Sequence, residues 1–412
     1  MAIFKSFCAY RPSKANEALI PALPYDVMNS EEAREMAKGN PLSFLHVDKA
    51  EIDFAPDVDH YAPEIYEKAR ENLISLEESG AMVHDEKPCL YIYRQVMHGR
   101  SQTGLVGCAS IDDYINDVIK KHEHTLAKKE QDRINHVNVC DANTGPIFLT
   151  YRENMEINGI ITAWIRNNES IYDFSKGDVH HTVWLIDDDE TIEKLEGLFD
   201  TVSSLYIADG HHRCASAVKV GKMRRKEHPD YSGKEEFNFF LAIAYPDSEL
   251  QIMDYNRVVK DLNGYSFDGF LKKLTEKFTV SELPKAMSPE KKHSFSMYYG
   301  GRWYSLTAKK GIFDENDPVG QLDVSILQNN VLKPLLGIDN PKTSDRIDFI
   351  GGIRGLKELE RRANDDMKLA FAMYPTTIDD LMSIADAGQI MPPKSTWFEP
   401  KPLSGIFIHH LS

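Results

Sequence analysis

Cysteine is scarce and scattered: Cys8, Cys89, Cys108, Cys140 and Cys214 are the only five in 412 residues, and no two form a Cys-x-x-Cys pair. That spacing disfavours a disulfide framework and a cysteine-built zinc site, and it predicts small buried hydrophobes in a reducing compartment. Long apolar runs are also missing, and no stretch reaches the ~18–20 residues of a membrane span. The opening Met1-Ala2-Ile3-Phe4-Lys5-Ser6-Phe7 lacks the basic, apolar, small-residue order of a secretory signal. The expectation is a cytoplasmic protein with no membrane partner. Positive charge is short as well: 48 basic residues face 64 acidic ones, a net charge of −16. A chain that neutralised nucleic-acid phosphates would carry a basic face, so no nucleic-acid partner is expected. The densest basic run, Lys222-Met223-Arg224-Arg225-Lys226, reads instead as the end of a helix, where cations suit the dipole. Repeats and low-complexity tracts are absent.

What is present is ordinary globular composition, 42% hydrophobic and 27% charged, in a chain long enough for two domains. A helix with Ser30 as its cap is expected to about Lys38, and another over 60–80 on the apolar spacing of Tyr61, Ile65, Ala69, Leu73 and Leu76. Strands are expected at 88–96, 146–151, 181–186, 205–208 and 237–245. Residues 111–136 read as one long helix, interrupted near 120–125. Composition shifts after Gly264, where Lys-rich amphipathic segments and a 298–304 hairpin begin. Strands and helices mix without a βαβ rhythm, so the class is α+β, with domains expected at 1–263 and 264–412.

The most informative segment runs from Leu205 to Val218: four apolar residues, then Asp209-Gly210-His211-His212-Arg213, then small residues. A strand feeds a turn that opens a helix, and the first N–H groups of a helix lack internal partners and attract anions. Gly210 permits close backbone approach or a positive φ. Arg213 opposes the helix dipole, and a fork of donors for phosphate oxygens accounts for it better. His211 and His212 add potential donors, and Asp209 offers a helix cap or a water-mediated magnesium ligand. Zinc is disfavoured, because neighbouring histidines point different ways and no cysteine completes a set.

A second cluster is His122-Glu123-His124-Thr125. Glu123 between two histidines is a candidate base for a hydroxyl proton. The same residues also read as a charged helix surface with pairs such as Lys128 and Asp132. The proline-bracketed stretch Met391 to Pro402 holds Lys394, Ser395 and Thr396, which suit an anion contact or a rigid packing loop.

These motifs in order resemble the family known as domain of unknown function 1015: Leu-Pro-Tyr-Asp-Val (23–27), Asn40-Pro41, His-Glu-x-Thr (122–125), Asp-Gly-His-His-Arg (209–213), Tyr-Asn-Arg-Val-Val (255–259) and Pro-Pro-Lys-Ser-Thr-Trp-Phe-Glu-Pro-Lys-Pro (392–402). That family resembles the ParB/sulfiredoxin-like nucleotide-binding superfamily. The resemblance implies such a core with N-terminal and C-terminal α/β elaborations. It is similar to the free-serine kinases of that superfamily in a His-Glu pair and in the Asp-Gly-His-His-Arg turn. By that likeness Glu123 is the base, with His122 and Asp209 beside it as catalytic residues and Asp209 as the metal position. Gly210, His211, His212, Arg213, Lys394 and Ser395 would bind the cofactor, ATP or ADP with Mg. The implied activity is phosphorylation of a small hydroxyl metabolite, free L-serine first, or the reverse, in a setting of serine metabolism. The competing implication is a ParB-like nucleotide-gated regulatory protein without kinase activity. Sulfiredoxin chemistry is disfavoured, since His211 stands where the catalytic cysteine would be. Oligomeric state is left open.

Overall fold

Branched and aromatic residues at alternating or continuous apolar spacing build a nine-stranded mixed sheet. In chain order its strands are β1 (Phe4–Lys5), β2 (Leu90–Met97), β3 (Arg100–Ser110), β4 (Ile119–Lys120), β5 (Ile147–Tyr151), β6 (Tyr172–Lys176), β7 (Val179–Ile186), β8 (Leu205–Asp209) and β9 (Phe239–Pro246). They lie in the order β4-β8-β5-β9-β3-β2-β7-β6, with β1 paired to β3 off this path. The pairs β4–β8 and β9–β5 are parallel and the others antiparallel. The unbroken apolar run of β9 is buried from Phe240 to Pro246, as a central strand covered on both faces requires. This is a computed structural model of residues 1–412. The chain forms two units, Met1–Leu250 with Pro400–Ser412, and Gln251–Glu399 inserted between them in sequence.

Six helices of the first unit matter here: α1 (Ser30–Ala37), α2 (Pro63–Glu78), α3 (Ala127–Cys140), α4 (Met155–Asn167), α5 (Asp189–Phe199) and α6 (His211–Glu227). The cap of α1 is Asn29 rather than Ser30: Asn29 accepts from the Glu32 amide, and the Glu32 carboxylate accepts from the Asn29 amide. In α2, Pro63 occupies the first turn, and Ile65, Ala69, Leu73 and Leu76 form the buried stripe. Burying a leucine such as Leu73, 1% exposed, contributes about 1.5–3 kcal/mol. One sheet face carries α4, α5 and α6 through Ile157, Leu195, Phe199 and Val218. On β2 the alternate residues, Tyr91 and Tyr93, face the other way and pack on Phe407 of the C-terminal segment, with ring centroids 4.8 and 6.5 Å apart.

The long helix expected over 111–136 does not form as one element. Helix persists only over Ile111–Ile115, Asp117 takes a left-handed φ of 60°, and Ile119–Lys120 becomes β4. Pairing with β8 captures these residues, including a bond from the Leu205 amide to the Val118 carbonyl. Residues 121–126 are therefore a loop, which removes the charged-helix-surface reading of His122 to Thr125.

The second unit holds a six-stranded antiparallel sheet of β10 (Tyr255–Val259), β11 (Phe278–Leu283), β12 (Ser294–Tyr299), β13 (Arg302–Ala308), β14 (Ile347–Gly351) and β15 (Leu369–Met373), in the order β11-β13-β12-β15-β10-β14. The expected hairpin is β12–β13, joined by Gly300 and Gly301 with φ of 56° and 85°, as a two-residue turn demands. The expected boundary near 263 is displaced at both ends. Residues 255–259 pair inside this second sheet, and 400–412 return to the first unit. Together the two units are α+β.

Candidate functional site: the turn between β8 and α6

The turn forms as its composition dictates. β8 ends at Asp209, Gly210 takes φ 90° and ψ 31°, and α6 starts at His211 with no side chain capping it. A left-handed residue at this point favours glycine, since a Cβ would lie 3.1–3.2 Å from the Arg213 guanidinium. The uncapped first turn leaves backbone N–H groups for an incoming acceptor.

The two histidines do something their sequence position does not suggest. His122 donates its backbone N–H to His211 Nε2 at 3.4 Å, and Leu126 donates its own to His212 Nε2 at 3.0 Å. A ring nitrogen that accepts carries no proton, so both rings are neutral and protonated at Nδ1. Both therefore act as acceptors at Nε2, where donation was the expectation. They fasten the 122–126 loop, and Glu123 with it, onto the start of α6 across 86 to 89 residues of sequence. The far end of the loop is tied by Thr125, whose hydroxyl donates to Glu130 at 2.5 Å, while Lys219 of α6 also pairs with Glu130.

His122 packs edge-on against His211, with ring centroids 4.4 Å apart at 85°. Its ring is buried, 2% exposed, beside the Ile207 backbone. Burial drives its pKa down to about 4, against an opposing pull from Asp209. Burial likewise holds His211 well below the ordinary histidine value.

Charge concentrates on Asp209. Its Oδ2 lies 3.2 Å from Arg213 Nη2 and 3.4 Å from Lys401 Nζ. Burial alone would raise its pKa, but Lys401 and Arg213 bring it down to about 2. Arg213 is turned inward rather than held out as an open fork. Nη1 donates to the Pro146 carbonyl at 2.5 Å, Nη2 to Asp209, and Nε is buried without a partner. It closes one wall of a polar cavity of about 20 Å³ with Tyr25, Asp48, Arg133 and Thr144, room for about one water. Here Arg133 lies over the Tyr25 ring at 4.1 Å, and Thr144 donates to Asp48 at 2.8 Å.

No group of three or more His, Cys, Asp or Glu side chains is arranged to hold a metal. Asp209, expected as the magnesium position, already has one carboxylate oxygen facing two cations. As they stand, the residues of the turn do not form a magnesium site. Cys214 is fully buried and burial raises its pKa, so it is no nucleophile.

Lys394 and Ser395 fall in the second unit. Lys394 has a left-handed φ of 61°, its carbonyl accepts from Arg257 at 2.9 Å, and Ser395 Oγ donates to the Pro392 carbonyl at 2.6 Å. Lys401 of the first unit reaches the turn, and sequence reasoning passed over it; its bracketing by Pro400 and Pro402 is the one signal for it. Tyr25 lies in the Leu-Pro-Tyr-Asp-Val motif, whereas Asp48 and Arg133 carried no recognisable signal.

Fold and turn define an α+β protein with an uncapped, glycine-entered helix start that joins two sequence motifs. The chain belongs to the family described as protein of unknown function DUF1015, which it matches over residues 4–325. No curated protein matches it. Among solved structures it is similar to a free serine kinase in complex with AMP, at 14% identity and TM-score 0.36, covering 72% of this chain and 90% of that one. It is also similar to a C-terminally truncated SbnI from Staphylococcus aureus, at 10% identity and TM-score 0.39, covering 71% and 82%. A conserved hypothetical protein from Pyrococcus furiosus matches at 14% and TM-score 0.33, covering 70% and 88%. No helix is long and apolar enough to cross a membrane.

Proposed function

We propose that this protein is a nucleotide-dependent phosphotransferase acting on a small hydroxyl metabolite, with free L-serine the first candidate. The observation that carries the reading is the fastening of the Glu123 loop to the start of α6 by His211 and His212. It joins a carboxylate suited to proton abstraction with a backbone suited to phosphate. The amides at the entry of α6, opened by Gly210, take the donor phosphates. Arg213 holds the shape of the turn through Pro146 and Asp209, and His122 offers a neutral ring to the ligand. The substrate hydroxyl oxygen attacks the terminal phosphorus, the bond to the leaving nucleotide breaks, and the hydroxyl proton passes to Glu123. The reverse direction, from phosphoserine to serine, uses the same groups. Magnesium would arrive with the nucleotide phosphates, as it commonly does. A ParB/sulfiredoxin-like core is part of the same proposal, resting on the likeness of the motifs.

The test is incubation of the purified chain with ATP or ADP, magnesium and L-serine, followed by detection of phosphoserine. Glu123→Gln should lower turnover at least ~10²-fold, the usual scale of a general base, while nucleotide affinity stays within about twofold. Nucleotide binding without product across a panel of alcohols would reject the kinase and leave a nucleotide-gated regulator. Undiminished turnover in the variant would remove Glu123 from the role.

A further inference from the structure

We infer that Lys401 is the residue that meets the terminal phosphate of the bound nucleotide, exchanging its partner Asp209 for a phosphate oxygen. This rests on the nucleotide-binding reading above. Lys401 is 192 residues beyond Asp209 in sequence and is delivered by tertiary structure alone. Two buried glutamines on neighbouring strands fix its backbone: Gln95 of β2 donates to the Lys401 carbonyl at 2.9 Å, and Gln102 of β3 to the Pro400 carbonyl at 2.8 Å. Gln102 also donates to Gln95 at 2.9 Å, so the pair acts as one rigid bracket. Two prolines flank the lysine and limit its backbone further.

The charge balance points the same way. Asp209, Arg213 and Lys401 sum to one positive charge, and the neutral His122 and His211 add none. Arg213 is held by the Pro146 carbonyl as well as by Asp209, and the carboxylates of Asp26 and Asp48 act on it too. Lys401 sits at 3.4 Å from Asp209 Oδ2 and is the first of the cations that hold this carboxylate ionised. The lysine is 8% exposed and the Asp209 side chain 26%, so an anion that reaches Asp209 at the mouth of the turn encounters the ammonium beside it. A flexible ammonium is the group that can change partners without disturbing the turn.

The test is calorimetric titration of the intact chain and of Lys401→Met with AMP, ADP and ATP. Loss of one contact to a charged group predicts ADP and ATP affinity about 10- to 100-fold weaker in the variant, with AMP within about twofold. Lys401→Arg, which keeps the charge, should recover most of the loss. A lysine that only steadied Asp209 would weaken all three nucleotides together, and that result overturns the inference, as does unchanged ADP affinity. Circular dichroism melting of both variants verifies folding. If Lys401→Met proves unfolded, Lys401→Gln takes its place in the same titration. Failure of the unaltered chain to bind any nucleotide overturns the function proposed above and this inference with it, whereas normal binding with an indifferent Lys401 overturns the inference alone.

Discussion

Gly210→Ala probes the turn most directly, and its cost divides into two parts. The first is conformational: an L-residue at φ 90° loses about 1–2 kcal/mol relative to glycine. The second is steric. The added Cβ would stand 3.1 Å from Arg213 Nε and 3.2 Å from Cζ and Nη2, tighter than ordinary contact. Arg213 cannot swing away freely, because Pro146 and Asp209 hold it, and loosening one such bond costs about 1 kcal/mol more. The expected total is about 2–3 kcal/mol. Gly80→Ala separates the parts, since Gly80 has φ 74° with nothing within 4 Å of its Cβ and should lose only the first. Hydrogen exchange of the β8 and α6 amides in increasing urea reads local stability at the turn, with the Gly80 variant read at its own position. Equal losses for the two variants, or a Gly210→Ala loss below ~0.5 kcal/mol, would refute a turn braced by the Arg213 guanidinium.

Three further outcomes follow from the same geometry. His122 titrates near 6.5 when unfolded and near 4 when folded, so its contribution is complete above pH 6.5 and is lost as pH falls toward 4. Between pH 7 and 5 this removes about 2 kcal/mol, and His122→Phe should shrink the difference between urea midpoints at those two pH values; an unchanged difference would contradict it. Asp209, held down to about 2, adds stability that persists until pH falls below its unfolded value and through about 2, so acid loss above pH 5 is not its doing. Gln102→Leu leaves the Pro400 carbonyl and Gln95 without their donor, which should cost about 2 kcal/mol and make the 400–412 segment sensitive to carboxypeptidase; wild-type resistance would show that the bracket is dispensable.

Some of this was legible in the residues alone. Leu205 to Glu227 announces a strand, a glycine turn and a helix because each step is local: apolar spacing, a residue free of Cβ, then small helix-compatible residues. The α2 stripe and the β12–β13 hairpin were legible for the same reason. The helix expected over 111–136 breaks near 120–125, where an interruption was expected, but the strand at 119–120 was not legible, because β4 owes its form to pairing with β8, 86 residues away, which no local periodicity records.

The turn, then, is the part that sequence by itself determined, down to the need for glycine at 210. Tertiary structure decided what the turn does with its neighbours. It made His211 and His212 acceptors that hold the Glu123 loop, turned Arg213 inward, and brought Lys401 to Asp209. The physical reason is range: backbone conformation is set within a few residues, whereas a hydrogen bond or ion pair is set by whichever segments the packed core brings within ~3 Å.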